Sequence, residues 1–332
     1  MLSGWKLPLA VCLVGSWLAA ADAADYYVAP TGDDANSGTR EEPFRTLTRA
    51  RDAVRGKIAA GQTDDATVFL RGGTYRLDET VTFGLEDSGA EEHSIAYAAY
   101  ANEQPVFSSG VPITGWRRLD PVPPDAPDAA RGKLWVADLP EGLGRFTTLY
   151  DGHSRLPRAR SKGFQPTRRY PRTRPAGWRN TLVFPKGALK GWPNLDDVDI
   201  QIIPQYPWVT NILPLASVDP QAGTAQTAVP ATYPMGQTYF GVFPEGTLWV
   251  ENVLEAIDEP GEWVLDTRQR KVYLWPKRDR PGETIVAPKL TELVRVEGAI
   301  DYDGPVDKPV KNLVFRGITF TQGDRWCWEP DK

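Results

Sequence analysis

The clearest hydrophobic period in the chain is helical. Leu47, Ala50, Val54 and Ile58 recur three or four residues apart, Thr46 stands where an N-cap belongs, and Gly61 is placed to end the run. From Thr67 onward the period shortens to strands broken by glycine: Val68 to Leu70, Val81 to Phe83, Ile95 to Tyr97 and Val106-Phe107, whose starts lie 13, 14 and 11 residues apart. Such spacing suits a β-sandwich or successive sides of a parallel β-helix coil, and spacing alone does not separate the two. From about Arg117 to Ala287 the punctuation is Pro, Trp and Tyr, with no helical run. One hairpin is plain there: Trp263 to Asp266, a turn at Thr267 to Gln269, then Val272 to Trp275. This stretch reads as a second, antiparallel β domain. Leu313, Phe315, Ile318 and Phe320 then predict two short strands joined at Arg316-Gly317, in the style of residues 67–110.

The N-terminus sets the expected compartment. Lys6, the apolar run Leu7 to Ala21 and the small-residue site Ala21-Asp22-Ala23 have the layout of a secretory signal peptide cleaved after Ala23 or Ala24. The apolar run is about 15 residues where a membrane span needs about 20. A secreted or periplasmic protein is expected, with no membrane attachment after cleavage. Cleavage would remove Cys12 and leave Cys327 alone, so no internal disulfide is expected, and Cys327 reads as a small apolar filler between Trp326 and Trp328.

Composition narrows the function classes. The chain has 30 Gly and 30 Pro in 332 residues, which argues for many turns and against a helical bundle. Its 43 acids against 38 bases give a net charge of -5, without the basic footprint of a dedicated nucleic-acid binder. With two histidines, His93 and His153, no multi-histidine metal site can be built, and no zinc spacing, phosphate-cradling glycine motif or EF-hand loop is present. Neither metal nor cofactor is expected, and the protein is expected to be a monomer.

Particular residues carry a family likeness. Tyr27-Val28-Ala29-Pro30-Thr31-Gly32-Asp33-Asp34-Ala35-Asn36-Ser37-Gly38-Thr39, followed by Pro43-Phe44-Arg45-Thr46-Leu47, resembles the opening of secreted right-handed parallel β-helix proteins, and Phe69-Leu70-Arg71-Gly72-Gly73-Thr74-Tyr75 is similar to their first coil. Leu156-Pro157-Arg158-Ala159-Arg160, Asn252 to Glu255, Pro260 to Asp266 and Val272 to Pro276 resemble the β-helix carbohydrate-active enzymes of glycoside hydrolase family 141. The resemblance implies an all-β fold: the start of a right-handed parallel β-helix with an N-terminal capping helix, interrupted by an inserted antiparallel β-sandwich-like domain. The boundaries expected are 1–24 for the signal peptide, 25–116 for cap and first coils, 117–290 for the insert, and 291–332 for the return to the β-helix. In that family the catalytic carboxylates sit on later coils, so they are expected beyond Lys332, and the chain is expected to be an N-terminal fragment. The implied partner is a polysaccharide or oligosaccharide, an α-fucoside or a xylan. The rival readings are a polysaccharide lyase on the same scaffold and a non-catalytic glycan-binding surface protein.

Candidate chemistry is sparser than the number of acids suggests. Glycoside hydrolysis needs two carboxyl groups flanking the bond. Glu86-Asp87, Glu91-Glu92 and Asp196-Asp197 with Asp199 are expected to be solvated surface, so no catalytic pair is nominated. Asp324, Trp326 and Trp328, in a loop leaving a predicted strand, are candidates for substrate binding, since indole faces stack on sugar rings and a carboxylate can hold hydroxyls. From Arg155 to Arg179 run eight Arg and one Lys with no acid. Arg158, Arg160, Arg168 and Arg169 are therefore candidates for contacting a uronate or sulfated polymer. The favoured alternative is internal neutralisation by Glu251 to Glu262, which holds five acids and no base.

Overall fold

Alternation of burial builds the first strands. In Ala66–Leu70 the side chains of Ala66, Val68 and Leu70 are buried and the two between them half-buried, and in Ile95–Ala99 Ile95 and Tyr97 take the inward places. These strands belong to a computed structural model that describes residues 25–61, 64–173, 175–239, 243 and 246–327. The expected signal peptide lies outside the described residues. The chain divides into two units, one of residues up to 73, 83–105 and 296–318, the other of residues 74–82, 106–295 and 319 onward.

The first unit carries a four-stranded sheet in the order Tyr26–Val28, Ala66–Leu70, Ile95–Ala99, Leu313–Arg316, and every pairing is parallel. Tyr97 sits opposite Val68 on one side and Phe315 on the other. The last two strands are neighbours in the sheet although residues 106–295 lie between them in the chain. Register stacks like on like: Tyr97 and Phe315 rings lie 5.6 Å apart, and Phe83 meets both edge-on at 5.0 and 5.2 Å.

The helix spans Leu47–Ala59 and buries Leu47, Ala50 and Val54. Thr46 caps it by accepting the Arg49 N–H at 3.1 Å, and Asp34 fixes the cap by accepting from the Thr46 N–H at 2.9 Å and hydroxyl at 2.8 Å. Gly61 closes it at φ +87°, a backbone that a residue with a Cβ adopts only under strain. Among the described residues no helix is long and apolar enough to cross a membrane.

The second unit is mostly antiparallel. Its largest sheet has the order Thr181–Val183, Thr224–Thr227, Asn211–Asp219, Asp199–Ile202, Leu248–Glu251. Ile200, Ile202, Leu213, Leu215 and Val250 from this sheet are buried in one core. A second sheet holds the expected hairpin, Trp263–Asp266 with Lys271–Leu274, then Trp135–Asp138 and Arg117–Arg118. Trp263, Leu265, Val272 and Leu274 anchor another core with Phe146 and Leu149, and Trp263 stacks on Phe146 at 5.4 Å. A third sheet joins Ser154–Leu156, Leu149–Asp151, Ile285–Pro288 and Gly110–Pro112. Parallel pairing returns where Thr319–Thr321 lies against Pro105–Ser108. The protein is mostly β with few helices, and its sheets mix parallel and antiparallel ladders.

Three acids expected on the surface are buried instead. Asp87, Asp197 and Asp199 are at most 1% exposed, while Glu86, Glu91, Glu92 and Asp196 are exposed as expected. The physical reason is pairing at a distance: arginines remote in sequence, and the backbone and hydroxyl of Thr267, supply what solvent would otherwise supply.

Candidate functional site

The loop singled out by its tryptophans begins on a segment fastened at every step. The Gln322 amide donates to the Gly152 carbonyl at 2.7 Å and its Oε1 takes the Ser108 hydroxyl, while the Tyr150 hydroxyl donates to the Gly323 carbonyl at 2.8 Å. The Asp324 carboxylate then accepts from the Thr147 N–H at 3.0 and 3.1 Å, the Thr147 hydroxyl at 2.8 Å, the Thr148 hydroxyl at 2.9 Å and the Arg325 N–H at 2.9 Å. Asp324 therefore holds the loop to residues 147–148. Both its oxygens accept from donors of the protein itself, a structural tie beside the sugar contact expected of it. Trp326 is 49% exposed at the end of this fastened segment, and Trp328 lies outside the described residues. Cys327 is half-buried, its thiol 3.6 Å from the Arg325 carbonyl.

Arg325 points to a buried charge cluster. Asp199 accepts from Arg158 at 2.5 Å, Arg145 at 2.7 Å and Arg325 at 3.2 Å, and Arg158 also donates to the Asp197 carbonyl at 2.7 Å. Burial by itself would push the Asp199 carboxyl up, but Arg158 and Arg145, with Arg325 behind them, hold it below the usual carboxylate value. Asp197 goes the other way: burial raises it, and the Thr267 hydrogen bonds and Arg145 only partly offset that. Arg158 is 8% exposed and stands 3.8 Å from Glu251. Its guanidinium, expected to contact a polyanion, is enclosed among the protein's own acids.

The other arginines of the block divide. Arg160 is exposed, 5.7 Å above the Trp249 ring, and with Lys162 it faces Asp258, Glu259 and Glu262 across a cleft of about 470 Å³. Residues of the basic and acidic blocks thus line one cleft. Burial raises the Glu262 carboxyl, the N–H groups of Asp258 and Glu259 at 2.7 and 3.1 Å oppose the rise, and the Asp258 and Glu259 charges add to it. Trp249 and Glu262 have no sequence signature; only the fold brings them beside Arg160. Arg168 and Arg169 are exposed, with their guanidiniums 4.7 Å from the Tyr170 ring and 4.9 Å from the Tyr239 ring. Chemically, the charged cleft offers paired donors and acceptors beside an aromatic face, a lining suited to hydroxyl-rich ligands.

No family model matches the chain. A solved structure described as a glycoside hydrolase superposes with a TM-score of 0.66 at 26% identity, over 91% of this chain and 51% of its own. The fold is glycoside hydrolase-like. The chain spans about half the length of that structure. A solved complex of XylC with xylose gives a TM-score of 0.39 at 16% identity, over 92% of this chain and 36% of its own. An uncharacterised protein of Bacillus subtilis (strain 168), YwoF, is 42% identical over 85 residues, which is 25% of this chain and 16% of that protein.

Proposed function

We propose that this chain belongs to a secreted or periplasmic glycoside hydrolase acting on a complex polysaccharide, an α-fucoside or a xylan, on a right-handed parallel β-helix scaffold interrupted by an antiparallel domain. The observation that carries the reading is the likeness to a glycoside hydrolase over 91% of the chain at 26% identity. The all-parallel ladder of the first unit agrees with a coil architecture, and the inserted antiparallel ladders agree with the family 141 likeness. The catalytic acid pair is proposed to lie in the part of such an enzyme that this chain does not span.

Glycan binding without turnover is the second reading, and a specific observation favours it. Among the described residues several carboxylates are already engaged: the buried Asp87 by Arg55, Asp197 by Thr267, Asp199 by three arginines, Glu262 by the Asp258 and Glu259 N–H groups and Asp266 by Gln269, and the half-buried Asp324 by Thr147 and Thr148. A carboxyl tied this way is poorly placed to protonate a leaving group or attack a sugar. Incubation of the full enzyme to which this chain is proposed to belong with fucosylated polysaccharide and with xylan, followed by assay of new reducing ends, tests the proposal. Hydrolysis releases reducing ends without ultraviolet absorbance. An absorbing unsaturated product would establish the lyase instead, and retention on the polysaccharides without any product would establish the binding protein.

A further inference from the structure

A second cleft, of about 490 Å³, opens in the second unit and is lined by four aromatic rings: Trp178, Tyr206, Trp208 and Tyr233. Three separate segments supply them, and Gln205 ties the assembly together. That side chain is 1% exposed, its Oε1 accepts the Tyr170 N–H at 2.7 Å, and its Nε2 donates to the Tyr170 carbonyl at 2.8 Å. The segment carrying Arg168, Arg169 and Arg172 is thereby held to the loop carrying Tyr206 and Trp208. Tyr206 meets Tyr233 edge-on at 5.6 Å and lies 5.4 Å from Tyr239. Trp208 is 63% exposed beside the cleft. Four rings grouped on a fixed base, three half-buried and one exposed, are a ligand platform rather than scattered surface apolar residues.

The charge of the cleft has one sign. Arg172 lines it, Arg169 stacks on Tyr239, and no Asp or Glu is among the described lining residues. The sequence runs that supply the lining, 160–195, 203–218 and 220–244, contain no acid at all. The charged cleft at Arg160 is the opposite case, since acids answer its bases there. Aromatic faces with an uncompensated guanidinium suit pyranose rings that carry negative groups: ring C–H faces lie on the aromatic faces, and the guanidinium fork takes carboxylate or sulfate oxygens.

We propose that this cleft binds an acidic glycan, with sugar rings against Trp208 and Tyr206 and a uronate or sulfate group on Arg172. The proposal rests on the glycan-acting reading and adds the charge of the glycan that is recognised.

Affinity electrophoresis in gels containing polygalacturonate, dextran sulfate or neutral dextran tests it, with the wild type, Trp208→Ala and Arg172→Gln compared by circular dichroism for folding. The wild type is retarded by polygalacturonate, by dextran sulfate or by both, which separates carboxylate from sulfate recognition. Trp208→Ala weakens retention about tenfold, beyond what bulk charge explains, and Arg172→Gln weakens it only for the acidic polymers. Added salt reduces the Arg172-dependent part. Equal retention of wild type and Trp208→Ala would overturn the cleft while leaving the glycan reading standing. Equal retardation in neutral dextran, unaffected by Arg172→Gln, would overturn the acidic assignment. Single-stranded DNA displacing the protein more effectively than oligogalacturonate would also overturn it, in favour of base stacking. Absence of retardation in every gel would remove the cleft, whereas release of reducing ends from fucosylated polysaccharide or xylan would still stand by itself.

Discussion

Each of the two units carries an ionic cluster, and the two have opposite charge patterns. In the first, one guanidinium faces three acids: Arg55 lies 2.7 Å from Asp87, 3.0 Å from Glu86 and 3.9 Å from Asp52. In the second, one carboxylate faces three arginines: Asp199 lies 2.5 Å from Arg158, 2.7 Å from Arg145 and 3.2 Å from Arg325. Water access separates them. The Arg55 side chain is 26% exposed and two of its acids are more than half exposed, whereas the side chains of Asp199 and Arg158 are only 2% and 4% exposed. Attraction between exposed charges is screened, while a buried charge that loses its partner has nowhere to turn. The second cluster should therefore dominate stability, although both have the same number of partners.

The largest effect is expected from Asp199→Ala. It leaves Arg158 enclosed, with Glu251 at 3.8 Å as its nearest remaining acid and with its Nε already lacking a hydrogen-bond partner among the described residues. Breaking a buried pair from one side costs about 3–5 kcal/mol, read as a lowered denaturation midpoint with unchanged slope. Asp87→Ala comes next, at about 1.5–3 kcal/mol, the scale of hydrogen bonds to a charged group. Arg55 then regains water and keeps Glu86, while the Gly84 N–H loses its acceptor at 2.6 Å. Glu86→Gln should change stability by no more than about 0.5 kcal/mol, as for an exposed pair. If Asp87→Ala equals Asp199→Ala, burial of the partner arginine is not what distinguishes the clusters.

The same contrast governs what could be read from sequence. The helix was legible because its signals are local: Thr46, Gly61 and the apolar period lie within one stretch, and the structure sets Leu47–Ala59 between them. The hairpin at Trp263–Asp266 was legible for the same reason. Strand Gly73–Arg76 was hidden because Gly72-Gly73 reads as a break, and the nine-residue strand Asn211–Asp219 because Pro214 interrupts its pattern and a bulge falls between Leu215 and Ser217. Site residues fared worse. The donors that engage Asp324 lie at 147–148, the arginines on Asp199 come from 145, 158 and 325, and the rings of the aromatic cleft come from three segments. No spacing rule links such residues, so their chemistry becomes visible only when the chain brings them together.

The smallest effect is one of slope rather than size, and it compares Asp199 with Glu262. Asp199 titrates below its ordinary 3.8 when folded, so its contribution is present above that value and is lost as pH falls through the lower, folded one. Glu262 titrates above its ordinary 4.5, so its contribution is present below that value and is lost as pH rises through the higher, folded one. Asn at 199 therefore becomes more harmful relative to wild type as pH rises from strongly acid toward 4. Gln at 262 keeps an acceptor for the Asp258 and Glu259 N–H groups and removes the ionised form, so it becomes more favourable relative to wild type as pH rises from 4 toward 7. Denaturation midpoints of both variants across pH 2 to 8 should give differences of opposite slope. Parallel slopes would mean that the three arginines do not outweigh the burial of Asp199, and the proposed inequality of the two ionic clusters would lose its electrostatic basis.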